Sequence, residues 1–155
     1  MTRLYGRSLG GSRCRDHAPD GRWERTTILS ALRENGETCS MVFEGAVNRR
    51  IFEAYIEKFL SPTLHPGDIV VMDNLNVHKS ERVQSIIASQ GARCMFLPEY
   101  SPDLNPIEKM WSKVKQTLRG IKARTRQELD DAIAKALDMV TAADARGWFK
   151  SCGYV

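Results

Sequence analysis

Two acids carry most of the chemistry that this sequence offers. Asp73 lies in VVMDNLNVHKS and Glu108 in SPDLNPIE, with 34 residues, positions 74 to 107, between them. Hard divalent cations such as Mg²⁺ or Mn²⁺ prefer anionic oxygen ligands, and Mg²⁺ is commonly held by one or two protein carboxylates plus water and phosphate oxygens. Two such ions about 3.5 to 4 Å apart activate an attacking water or hydroxyl and stabilise the leaving oxygen of a phosphodiester displacement. Clustered acids repel each other, which raises their affinity for a cation. Each acid alone also has an ordinary structural use. An Asp after a buried strand often closes a turn, and Asn105-x-x-Glu108 has the spacing of a capping box, in which the glutamate binds backbone N–H groups.

The residues after Glu108 bear on what the acids would meet. Between Glu108 and Glu128 there are seven basic residues and no acid: Lys109, Lys113, Lys115, Arg119, Lys122, Arg124 and Arg126. At about 100° per helical residue, Lys115 and Arg119 share the Glu108 face, where a phosphate backbone would lie beside a metal site. Charged helix faces that are merely solvated usually mix signs.

These side chains need elements to position them. RTTILSAL (25 to 32) and TCSMVFEG (38 to 45) read as strands joined through Asn35-Gly36, a hairpin signal. From Arg49, the residues Ile51, Phe52, Tyr55, Ile56, Phe59 and Leu60 recur at helical spacing and stop before Pro62. IVVM (69 to 72) is continuously apolar, as in a strand buried on both faces of a parallel sheet, and Asp73 follows at its C-terminal end. In open α/β sheets the functional crevice lies beyond such ends. Ser80 is placed to cap a helix with Val83, Ile86 and Ile87 inward and Gly91 as its stop, and RCMFL (93 to 97) is the next strand. Strand, helix, strand implies a right-handed crossover.

PEYSPDLNP then has three prolines in nine residues and must be an extended loop. Asn105 is the expected N-cap and Pro106 the first residue of a long helix. Its stripe is Ile107, Met110, Trp111, Val114, Leu118 and Ile121. A last helix over about 127 to 140 presents Leu129, Ile133, Leu137 and Val140 and leads into RGWFKSCGYV. Residues 1 to 22, with five arginines and four glycines, read as an irregular basic segment.

At 155 residues and 42% hydrophobic the chain suits one domain with a real core. Its formal charge of +4 favours polyanionic partners. Cys14, Cys39, Cys94 and Cys152 form no C-x-x-C pair and have no histidine at zinc-finger spacing, which fits a reduced, cytoplasmic setting. No apolar run approaches the ~18 residues of a membrane-spanning helix, and the N-terminus lacks the apolar centre of a signal peptide.

DIVVMDNLNVHKS followed by FLPEYSPDLNPIEKMWSKVKQTLR closely resembles the DDE transposases of the IS630 family, within the Tc1/mariner superfamily. The likeness runs from about Thr2, through LYGRSLGGSR and TTILSALR, to the C-terminal GY. It implies an RNase H-like α/β fold, a mixed sheet flanked by helices, in which a carboxylate triad holds two divalent metals, Mg²⁺ or Mn²⁺, for cleavage and transfer of DNA strands. Asp73 matches the second acid and Glu108 the third, each as catalytic and metal-binding residue. Lys109, Lys113, Lys115, Arg119 and Lys122 would face DNA, both transposon ends and target. A homodimer and a cytoplasmic location are further expectations. His78 and Asn74 fall within the motif after Asp73, with a polar turn or a satisfied surface histidine as their reading.

The chain departs from that family at its start. The family's first acid lies on a strand preceding TRLYGR, and here that stretch begins at Thr2, so the first, central strand and its aspartate are expected to be absent. Asp16 and Asp20 are poor substitutes in a glycine- and arginine-rich loop. The expectation is a partial catalytic domain spanning 1–155, with little or no activity alone: the second frame of a split element completed by an upstream-encoded fragment, a decayed copy, or a chain whose start codon lies further upstream. Two rivals stand beside it. One is a DNA-binding or regulatory remnant that complements or inhibits a full-length transposase; the other is an RNase H-like nuclease acting on RNA–DNA hybrids, which YSPDLNPIE disfavours.

Overall fold

Alternation with period two decides how TTILSAL is used. In a computed structural model that describes residues 25–154 together with Ser8, Gly10, Ser12 and Arg13, this segment is strand β1, Thr26–Leu32. Leu29 and Ala31 pack on one apolar cluster, and Ile28 and Leu32 on another. β1 is therefore clad on both faces. It pairs antiparallel with β2, Thr38–Glu44, from Thr26 opposite Glu44 to Leu32 opposite Thr38. Gly36 in the connecting turn has φ of 91°, and a Cβ there would come within 2.7 Å of Ala142 N, so both the turn and the close approach need glycine. The expected basic segment at 1 to 22, with Asp16 and Asp20, lies outside the described residues apart from the four positions named.

Two helical layers supply the clusters. On one face lie helix α1, Arg49–Tyr55, its tighter and wider continuations through Thr63, and α2, Glu81–Ser89. Phe52, Ile56, Leu60, Val83 and Ile87 form that core together with Met72. On the other face lie α3, Pro106–Ile121, and α4, Arg126–Asp138, joined by Met110, Val114, Leu118, Ile133 and Ala136. Helix, sheet, helix is the layering expected of an α/β domain.

β3, Ile69–Met72, runs parallel to β4, Arg93–Phe96, with α2 as the crossover. The sheet, however, is not one. Among the described residues β1 pairs only with β2 and β3 only with β4, giving two two-stranded sheets in place of the expected mixed sheet. β1 and β3 flank a shared cavity of about 790 Å³, lined by Ile28 to Arg33 of the first and Asp68 to Asp73 of the second. Consecutive residues of each strand line it, which is how an edge is presented; a face would contribute alternate residues. At one end the slot is tied shut, because Arg33 pairs with Asp68 and donates to the Thr63 carbonyl at 2.7 Å. The C-terminal end of β1 thus meets the N-terminal end of β3.

That arrangement corrects the expected burial of IVVM. Only Met72 is buried; Val70 and Val71 are half-buried and Ile69 is exposed, because one edge of the strand faces the slot instead of a neighbour. Phe59 and Ile121, placed on inward stripes by spacing, are each about 40% exposed. For Phe59 the helix widens to a π turn over Ile56–Leu60, which rotates the face. Ser80 stands at the N-cap position, but its hydroxyl donates to Glu53 Oε1 at 2.6 Å and makes no cap.

RGWFKS (146 to 151), the start of the tail, belongs to a helix that periodicity did not reveal: α5, Ala142–Ser151. Its start is a capping box between Thr141 and Asp144, and its position is set by Lys113 of α3, whose ammonium donates to Asp144 Oδ2 at 2.5 Å and to the Met139 carbonyl at 2.7 Å. Lys113, followed by the Thr141 hydroxyl and N–H, brings the Asp144 carboxyl down from 3.8 to about 2. A carboxyl that binds its proton less tightly folded than unfolded adds stability that is complete above about pH 4 and fades as pH falls through about 2. Asp144→Asn should lower the stability measured by urea unfolding at neutral pH by about 1 kcal/mol. The gap from the parent protein should close between about pH 4 and pH 2, and a gap that persists unchanged at pH 2 would exclude the carboxylate charge as its cause.

Candidate functional site

Asp73 is delivered by the end of a hydrogen-bonded ladder. The Leu97 N–H donates to the Met72 carbonyl at 2.8 Å, one residue past the last paired rung of β3 and β4, and the chain then leaves the sheet at Asp73. A tight turn follows, closed by His78 N–H to the Leu75 carbonyl at 2.9 Å. It folds the His78 ring back so that Nδ1 lies against Asp73 Oδ1 and 3.4 Å from the Asp73 carbonyl.

That ring is held from behind by Phe52, with centroids 4.3 Å apart and planes tilted by 33°. The Asp73 side chain is 48% exposed and that of His78 16%. Although Oδ1 lies against the imidazole, the contact is not an aligned hydrogen bond, and Oδ1 is a buried oxygen without a hydrogen-bond donor among the described residues. Buried polar atoms are nearly always satisfied. An unsatisfied carboxylate oxygen is a hard ligand suited to a divalent cation.

Glu108 arrives from the opposite direction, in the first turn of α3. Asn105 caps that helix by accepting from Ile107 N at 3.4 Å, and Pro106 occupies the first helical position, where its missing N–H is harmless. The capping box formed at Thr125 and again at Thr141 is not found here. Instead the Glu108 carboxylate is exposed, with no hydrogen bond or ion pair to any described residue. A carboxylate at a helix N-terminus is favoured by the helix dipole, so the position tolerates an anion without consuming it.

The slot between β1 and β3 opens at this end into a groove of about 420 Å³ walled by Asn74, Leu75 and Asn76 on one side and by Pro98 to Pro102 on the other. Asp73, Asn105 and Glu108 line both the slot and the groove, so the two acids stand where these spaces meet. Among the described residues no group of three or more His, Cys, Asp or Glu side chains has the arrangement of a metal site. Sequence spacing singled out both acids. It assigned no part to His78, whose signal was its place across a short polar turn from Asp73, nor to Asn105 beyond capping.

The five basic residues of α3 and its end divide by use. Lys109 Nζ donates to Ser151 Oγ at 2.6 Å, and Lys113 holds Asp144, so both tie α5 to α3. Lys122 ends the helix in a left-handed conformation, φ 57°, with its N–H on the Leu118 carbonyl. Lys115 and Arg119 are exposed and have no partner among the described residues.

The sequence pattern of the DDE superfamily endonucleases matches residues 1–130. Similar proteins include the Tcb1 transposase of Caenorhabditis briggsae, 30% identical over 51% of this chain, and the Tc1 transposase of Caenorhabditis elegans, 33% identical over 47% of it. A second Caenorhabditis briggsae protein, the Tcb2 transposase, is 26% identical over 58% of this chain. These matches span 30%, 27% and 34% of the relatives' own lengths, about a third in each case.

The two ways of using a carboxylate predict different stabilities. Glu108→Ala should leave the stability measured by urea unfolding within about 0.5 kcal/mol of the parent, as for a surface residue without partners, whereas His78→Ala should cost about 1 to 3 kcal/mol by removing a ring packed on Phe52. A loss above about 1 kcal/mol for Glu108→Ala would restore the capping role.

Proposed function

Because the chain belongs to the DDE superfamily endonucleases, we propose that it is the carboxylate-bearing portion of a transposase catalytic domain, RNase H-like and of the IS630 type. Its ancestral reaction is cleavage and transfer of DNA strands at the ends of an insertion sequence. The observation that carries this reading is that Asp73 and Glu108 line both the slot and the groove, with Asp73 Oδ1 lying against the His78 ring but without a hydrogen-bond donor, and the Glu108 carboxylate without a partner, among the described residues.

In this reading Asp73 and Glu108 hold Mg²⁺ or Mn²⁺, their oxygens being the hard anionic ligands these ions require. Bound there, a pair of ions would lower the pKa of the attacking water or hydroxyl and neutralise charge on the scissile phosphate. His78 fixes the rotamer of Asp73 through its ring, itself immobilised on Phe52. Lys115 and Arg119, one helical face along from Glu108, take the phosphates of the bound strand. Lys109, Lys113 and Lys122 contribute positive potential from the same helix; two of them do so while anchoring α5.

The slot supports a strand supplied from outside residues 25–154. An apolar cavity bordered by two strand edges leaves backbone N–H and C=O groups without ladder partners, a cost that one more strand would remove. Its C-terminal end, if parallel to β3, would come out beside Asp73 with a third acid. A carboxylate triad needs a third acid beside Asp73 and Glu108, and in this reading residues 25–154 without it have little or no strand-transfer activity. A second reading, a DNA-binding remnant that pairs with or inhibits a complete enzyme, draws support from the exposed Lys115 and Arg119.

Incubation with DNA carrying the element's ends and Mg²⁺ or Mn²⁺ separates these outcomes. The chain alone should not cut. Mixed with a polypeptide that supplies an extended apolar segment ending in aspartate, it should cut, and Asp73→Asn or Glu108→Gln should each reduce that cleavage by at least about 100-fold. Cleavage by the chain alone that both variants abolish would overturn its inactivity and keep the acids; cleavage surviving in both variants would remove the acids from the mechanism. Salt-sensitive DNA binding with no complementation would select the remnant.

A further inference from the structure

Tyr100 is 98% exposed, the most exposed of the large hydrophobic residues, and its backbone is left-handed, with φ of 58°. Residues other than glycine adopt that conformation at a cost, and such residues concentrate where function rewards them. Among the described residues nothing rewards this one, since its ring makes no contact with another ring and its hydroxyl makes no hydrogen bond there.

The loop that carries it is well anchored. Leu97 is buried at one end. At the other, Pro102–Leu104 forms a tight helical turn, whose Leu104 carbonyl accepts from the Tyr154 hydroxyl at 2.8 Å. Pro98 and Pro102 restrict the backbone on either side. The ring is therefore presented on a stiff support, so little freedom is lost when it makes a contact.

Its surroundings say what that contact is. Tyr100 lines the groove that has Asp73 and Glu108 along it, together with Asn74, Asn76 and Leu75, which is 55% exposed. An aromatic ring and an apolar side chain lining one groove, with amides able to read hydrogen-bonding edges, suit a flat heteroaromatic ring more than a lipid tail or an aliphatic side chain. We propose that Tyr100 is a stacking platform for an unpaired nucleobase next to the phosphate at Asp73 and Glu108, so that the groove takes single-stranded or frayed DNA in preference to an intact duplex, whose bases have no free face. This rests on the reading of the two acids as the DNA-cleaving site.

The experiment is fluorescence anisotropy of the full chain with a short fluorescein-labelled oligothymidine and with the same strand in a duplex. Tyr100→Ala should weaken single-strand binding roughly 5- to 100-fold and duplex binding by less than about twofold, and Tyr100→Phe should bind as the parent does. Tyr100→Gly, which relieves the left-handed backbone, should melt at or above the parent temperature while losing the same affinity as the alanine variant, which separates stacking from folding. Single-strand binding unchanged in Tyr100→Ala, or lost equally for both DNA forms, would overturn the stacking assignment. If the Lys115→Ala, Arg119→Ala double variant still weakened salt-sensitive binding in that case, the DNA-site reading would survive. Absence of binding to either DNA form would overturn both.

Discussion

One hydrogen bond, from the Leu97 N–H to the Met72 carbonyl, decides where Asp73 leaves the sheet and where the loop toward Glu108 begins. It closes the parallel ladder of β3 and β4 and fixes the residue at which each strand stops. On one strand the chain is released at Asp73. On the other it passes into the proline loop, and Asn105 and Pro106 then start α3 so that Glu108 falls in its first turn. Two carboxylates distant in sequence are thereby committed to the same end of the same pair of strands. A shift of one residue in the pairing would turn Met72 out of the core and exchange the face of every side chain beyond it. The burial of Met72 against Val83 and Ile87 is what makes that shift costly.

The same strand pair has no strand partner on its other side among the described residues. β1 is covered above and below by apolar side chains, so its position between two helical layers is secure, yet its edge and that of β3 border a cavity and not each other. Arg33 and Asp68 hold the two sheets together at one end, where the guanidinium keeps the Asp68 carboxyl below its usual range. The opposite end, where the acids are, has no such tie described. The slot is thus closed at one end by an ion pair, while the strands beside it are held by the helical layers packed on their faces.

Much of this was legible in the sequence because the determining signals were local. Asn35-Gly36 sets a hairpin, IVVM a strand and Asn105-Pro106 a helix start, and each is a statement about backbone conformation that neighbouring residues suffice to make. What was not legible depended on partners. The exposure of Ile69 follows from a missing neighbour, Ser80 abandons its cap because Glu53 is within reach, and α5 has too short a stripe to be seen, being held by Lys113 from another helix. His78 belongs to this second group, since only the fold of the turn and the presence of Phe52 bring its ring to Asp73.

The basic run after Glu108 shows why charge counting and function differ. Seven cations without an acid look like one electrostatic surface, but a cation satisfied by a carboxylate attracts phosphate much less than a free one. Lys113 is neutralised locally by Asp144, whose depressed pKa is the other half of the same interaction. Lys115 and Arg119, two and six residues further on, keep their charge on the face that Glu108 begins. Both uses come from one helix because its inward and outward faces are about half a turn apart: one fastens the C-terminal helix against the core, and the other leaves two charges exposed on the face that Glu108 begins.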